Sequence, residues 1–146
     1  MTNSQDQESP KLLVAVADKE SSRKAIQAAT NFARALNAEL VLVNVLGDAH
    51  QVGVVAELIE TDQPVVEAKA WLKETIDSLA EMGVTSSFLL LRGEVGAVIV
   101  REAIEQGAQV VFLSTTVKHE RFEIEHDPIA HYVVEHCPID VYLVRQ

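Results

Sequence analysis

Five short apolar runs recur along the chain, and the four stretches between them carry apolar residues at three- and four-residue spacing. The runs are "KLLVAVA" (11–17), "ELVLVNV" (39–45), the centre of "TSSFLLLRG" (85–93), "AQVVFLS" (108–114) and "DVYLVR" (140–145). Most of them lack the polar alternation of a half-exposed strand, so they predict strands covered on both faces, as in a parallel sheet. Between them, Ala25, Ile26, Ala29, Ala33 and Leu36 form one helical stripe. Ala68, Leu72, Ile76, Leu79 and Ala80 form a second over 65–82, which Gly83 stops. Val95, Ile99 and Ala103 mark a third, ended by Gly107. A last helix starts at Asp127-Pro128, with Asp as the cap and Pro at the first helical position. Its predicted buried face is Ile129, Ala130, Val133, Val134 and Cys137. The stretch 46–64 is less regular; "VVAELIE" within it suits a short helix. Strand and helix alternate throughout, which implies an α/β fold: a five-stranded parallel doubly wound sheet with helices on both faces.

The chain has 146 residues, so one domain over 11–146 is expected, with 1–10 as a disordered tail. No apolar run reaches the roughly 18 residues that span a bilayer. The polar first ten residues carry no signal-peptide core, which makes cytoplasmic localisation the expectation, without membrane insertion. The lone Cys137 excludes an internal disulfide and reads as a small apolar residue. The net charge of −10 would repel a phosphate backbone, so nucleic acid is not an expected partner.

In an open parallel sheet a ligand binds outside the carboxyl ends of the strands, where the strand order reverses. Two loops lie there: "ADKES" after the first strand, and "LSTTVKHERFEIEHDPIAHYVVEHCP" (113–138) from the end of the fourth. The second holds four of the five histidines and no glycine. His131 and His136 are five apart and do not share a helix face, so no metal site is expected. His131 and Glu135 read as an exposed i, i+4 pair. Ser114 to Thr116 reads as a polar strand end satisfying its own backbone rather than an anion site. No G-x-S-x-G nucleophile motif occurs, and no enzyme activity is expected. Trp71 reads as packing at a helix edge. Carboxylates among the four histidines from His119 to His136 would raise their pKa, which allows charge gain near neutral pH; the plainer reading is solvated, uncoupled side chains.

The combined order and spacing resemble the universal stress protein family over 11–145. "LLVAVADKESSRKAI" loosely matches that family's first strand, its "DGS" turn and its Ser-bearing helix. "LNAELVLVNV", "LRGEVGAVIVREAIEQGAQVVFLS" and "IAHYVVEHCPIDVYLVR" match its later segments, the last most closely. The resemblance implies strand order 3-2-1-4-5 and a homodimer joined through the fifth strand, at Val141, Tyr142, Leu143 and Val144. It also implies a cleft formed by Ala15, Val16, Ala17, Asp18, Leu113, Ser114, Thr115, Val117, Asp127 and Pro128.

Nucleotide-binding members resemble one another in a G-x2-G-x9-G-[S/T] pattern after the fourth strand. Here Ser114, Val117 and Asp127-Pro128 fall at those positions, and all three glycines are missing. The family's base- and ribose-binding Asp falls on Ala17, with Asp18 beside it. Asp127 puts a carboxylate where the family puts phosphate. Lys19, Lys118 and Arg121 are outnumbered by Glu120, Glu123, Glu125 and Asp127. The expectation is a non-enzymatic regulatory or interaction protein of the universal stress type, dimeric and without the standard mode of ATP binding. Two alternatives stay open: a sensor that binds ATP, AMP or another small ligand through a modified loop, and a soluble regulatory domain for a transporter.

Overall fold

A computed structural model describes residues 9–47, 63–115, 124 and 127–146. Its elements are β1 (Lys11–Val16), α1 (Arg23–Leu36), β2 (Glu39–Gly47), α2 (Gln63–Glu81), β3 (Ser86–Gly93), α3 (Val95–Glu105), β4 (Ala108–Thr115), α4 (Pro128–His136) and β5 (Asp140–Arg145). The five strands form one sheet in the order β3-β2-β1-β4-β5, parallel throughout. The expected class and order are therefore present. The helix expected in "VVAELIE" lies outside the described residues, as do residues 1–8.

The continuous apolar runs follow from two-sided coverage. Leu12, Val14 and Val16 of β1 pack with Ala25, Ala29 and Ala33 of α1 and with Leu72 of α2. Their neighbours Leu13 and Ala15 point the other way, into a second core with Ile99 and Ala103 of α3 and Val133 of α4. Both faces of one strand are thus apolar, as a period-two side-chain pattern requires when both faces are covered. The alanines of α1 let that helix sit close on the sheet. Trp71 is half-buried against the same core, at the helix edge as expected.

Some stripe residues stand outside the core. Leu36 is exposed at the end of α1, one residue before Asn37 turns left-handed at φ 53°. Ile76 is half-buried and Ala80 exposed on α2. On α4, Ala130 and Val133 are fully buried and Cys137, just past its end, is half-buried, whereas Ile129 and Val134 are 39% and 44% exposed. At about 100° per residue, Ile129 and Val134 fall on opposite flanks of the stripe that Ala130 and Val133 define. A nine-residue helix lying over the β4–β5 side of the sheet buries the stripe and leaves both flanks open.

Helix α4 also leans on α3. A methyl group at Gly96 would come 2.8 Å from a Tyr132 ring carbon, so only glycine admits this approach.

Candidate functional site

Register sets the floor of a cleft at the carboxyl ends of the central strands. Ala15 of β1 lies beside Val43 of β2 and Leu113 of β4. With Val45, Val95, Ile99 and Ile129 they make an aliphatic wall. Ala17, Asp18, Ser21, Ser22, Ser114, Asp127 and Gln146 supply the polar side of a cavity of about 320 Å³.

Of the cleft residues expected from sequence, Ala15, Val16, Ala17, Asp18, Leu113, Ser114 and Asp127 come together here. Thr115 is buried beside them, at 1% exposure. Pro128 borders a neighbouring recess with Gly47, Gly93 and Tyr132. Val117 lies outside the described residues. The sequence reading missed Val43 and Val45, which reach the cleft through strand register. It also missed Val95 and Ile99, which arrive with α3. Asn44 carried a visible signal, as a polar residue inside an apolar run. It is 1% exposed, and its Nδ2 donates to the Ala17 carbonyl at 2.9 Å.

The turn after β1 is closed by its own side chains. The Ala17 amide donates to Ser22 Oγ at 2.9 Å. Asp18 Oδ1 accepts from the Ser21 amide and Oδ2 from the Ser21 hydroxyl, both at 2.8 Å. The Ser21 amide, then its hydroxyl, holds the Asp18 carboxyl below the ordinary carboxylate value.

The end of β4 is tied on two sides. Ser114 Oγ donates to the Ser21 carbonyl at 3.2 Å, which joins β4 to the turn after β1. Thr115 Oγ1 donates to Asp127 Oδ2 at 2.9 Å, and Asp127 Oδ1 accepts from the Ala130 amide at 3.1 Å. These bonds correct the reading of Ser114 and Thr115 as satisfying their own backbone. Both reach distant segments instead, because parallel topology brings the turn after β1 and the start of α4 to the end of β4.

Asp127 caps α4 as its sequence position suggested. Of the first three amides of α4, Pro128 lacks one and Asp127 occupies a second. The helix start, which favours an anion, is met by a carboxylate of the chain itself.

The histidines that are described stand apart from the cleft lining. His131 Nε2 lies 2.9 Å from Glu135 Oε1, the exposed pair expected from their spacing. His136 Nδ1 lies 2.9 Å from the Tyr132 carbonyl, and its ring stacks on Tyr132 at 4.0 Å. His119 and His126 are outside the described residues. Among the described residues no three His, Cys, Asp or Glu side chains gather as metal ligands. No described helix is long and apolar enough to cross a membrane.

At the far edge of the sheet, β5 pairs with β4 on one side only among the described strands. Val141, Leu143 and Val144 are half-buried and Tyr142 is exposed. Tyr142 closes an aromatic cluster with Phe32 and Phe112, with ring centroids 5.2 to 5.4 Å apart.

Known proteins share this architecture. The family model described as "Universal stress protein family" matches residues 9–145. Among solved structures, a universal stress protein UspA from Lactobacillus plantarum superposes with a TM-score of 0.71 at 19% identity, covering 96% of this chain and 100% of that one. A universal stress protein from Archaeoglobus fulgidus, solved in complex with dAMP, gives 0.68 at 18% identity over 93% of this chain and 97% of its own. Another universal stress protein, solved in complex with cAMP, gives 0.70 at 19% identity over 92% and 96%. At such identities the structural likeness speaks for the fold alone. No curated protein matches this sequence. The family match spans nearly the whole chain, and the chain belongs to the universal stress protein family.

Proposed function

We propose that this protein is a dimeric, non-enzymatic regulatory or interaction member of the universal stress family that does not bind ATP in the nucleotide-binding mode. The observation that carries the reading is Asp127. Its carboxylate accepts from the α4 amide of Ala130 and from Thr115, at the helix start where nucleotide-binding relatives resemble one another in a glycine. A phosphate there would meet a like charge, at a cost on the order of 1 kcal/mol or more in a partly buried site. Ser114 in place of a glycine adds a side chain already bonded to the Ser21 carbonyl. Titration calorimetry with ATP should give no saturable heat; micromolar affinity would overturn the reading.

The dimer part rests on β5. An exposed strand edge with Val141, Leu143 and Val144 only half-buried favours pairing with another chain. A second copy supplies an identical edge and is the partner that the family resemblance implies. Light scattering should return twice the chain mass at micromolar concentration. A monomer mass would remove this part and leave the ATP argument standing. The cleft lining among the described residues has no histidine, and its serines are committed to the turn and to β4. That supports a role other than hydrolysis.

A further inference from the structure

We propose that the cleft between the ends of β1 and β4 binds a compact organic cation, an amine or ammonium group on an aliphatic body. The proposal deepens the reading above and rests on its exclusion of phosphate.

The wall sets the body. Val43, Val45, Ile99 and Leu113 present branched aliphatic surface, and no aromatic ring lines the cleft among the described residues. Among these residues a planar base would find no ring to stack on. At about 320 Å³ the cavity sits at the small end of the roughly 300–1,000 Å³ typical of ligand pockets. That suits one saturated ring or a short branched chain.

The polar side sets the charge. Three backbone donors at this end of the sheet are already used inside the protein. The Ala17 amide is bound by Ser22 Oγ, the Ser21 amide by Asp18 and the Ala130 amide by Asp127. The Ser21 and Ser114 hydroxyls donate to Asp18 and to the Ser21 carbonyl. An anion would find few free donors among these groups. Acceptors, by contrast, are in surplus. Each carboxylate oxygen accepts two hydrogen bonds, and Asp18, met by the Ser21 amide and hydroxyl and by the Glu20 amide, keeps accepting capacity beyond these. Asp18 is exposed at the cleft rim, where it can meet a charged head still partly in water. No Lys, Arg or His lines the cleft among the described residues. Arg23 and Lys24 border an adjoining recess together with Glu20, and Lys19 pairs with Glu74 on α2 at 3.6 Å. The net charge of −10 draws cations toward the whole molecule.

Three probes with one ring separate body from charge: cyclohexylammonium, cyclohexanol and cyclohexanecarboxylate. Each is titrated into the full chain while the methyl resonances of Val43, Val45, Ile99 and Leu113 are followed by NMR. Saturable shifts at these methyls are expected with cyclohexylammonium, with affinity about tenfold above the alcohol, and none with the carboxylate. Asp18→Asn should bring the ammonium down to the alcohol, and its unliganded methyl spectrum reports that the fold is kept. Binding of the carboxylate as tight as that of the ammonium, no preference for ammonium over alcohol, or no shift at these methyls with any probe would overturn the proposal. ATP forms a fourth arm. If ATP moves the same methyls, the exclusion of phosphate fails. If ATP is silent and the ammonium fails, only the present inference falls.

Discussion

Two aspartates at the same end of the sheet make the same pair of hydrogen bonds. Asp18 accepts the amide three residues ahead and a hydroxyl, both from Ser21. Asp127 also accepts the amide three residues ahead, that of Ala130, and a hydroxyl, that of Thr115. Asp18 is exposed and its partners are local. Asp127 is buried at 8% exposure and joins the end of β4 to the start of α4 across twelve positions. Matching chemistry thus serves two purposes. One carboxylate shapes a turn in water. The other fastens two elements and occupies a helix start that would otherwise attract an anion. Water competes for the first set of bonds but hardly for the second, so burial should decide the energies.

The largest expected effect is at Asp127. Asp127→Ala removes the α4 cap and a buried acceptor together and should lower stability by about 2 kcal/mol in urea denaturation. A loss no greater than that of the matching Asp18 variant would erase the contrast. Thr115→Val removes one side of the bridge and leaves the cap in place; a loss of about 1 kcal/mol is expected. Asp18→Ala should stay within about 0.5 kcal/mol of the parent, as for other exposed positions.

The smallest effect is a pH dependence. Bonding to Ser21 lowers the Asp18 pKa in the folded chain below its ordinary value of 3.8. The contribution of Asp18 is therefore present above pH 3.8 and fades as pH falls through the lowered folded value. Asp18→Asn should make the acid limb of the stability profile slightly shallower between pH 3.8 and the lowered folded value. An unchanged limb would mean that Ser21 gives the carboxylate no net preference.

The contrast between the two regions also marks how far the sequence could be read. Strands covered on both faces show as uninterrupted apolar runs, and Asp127-Pro128 announces a helix start, because those signals are local. The Asp127 cap followed from the same two residues. The Thr115–Asp127 bond did not, since it depends on where the topology carries a segment twelve residues on. Val43 and Val45 were invisible as cleft residues because only the pairing of Ala15 with Val43 places them there. Ile129 and Val134 were assigned to a buried face because they are apolar, yet a short helix buries only a narrow stripe. Gly96 carried no turn signal; its role emerges only from the Tyr132 ring that packs on it.

On the function proposed above, the carboxylate of Asp127 stands where a nucleotide phosphate would sit. Calorimetric titration of ATP into the native protein and into the variant carrying Ser114→Gly, Val117→Gly, Asp127→Gly and Pro128→Ser tests it most directly. No saturable binding to the native chain is expected, and a measurable gain in the fourfold variant. Micromolar ATP affinity in the native chain, with Asp127 in place, would contradict it.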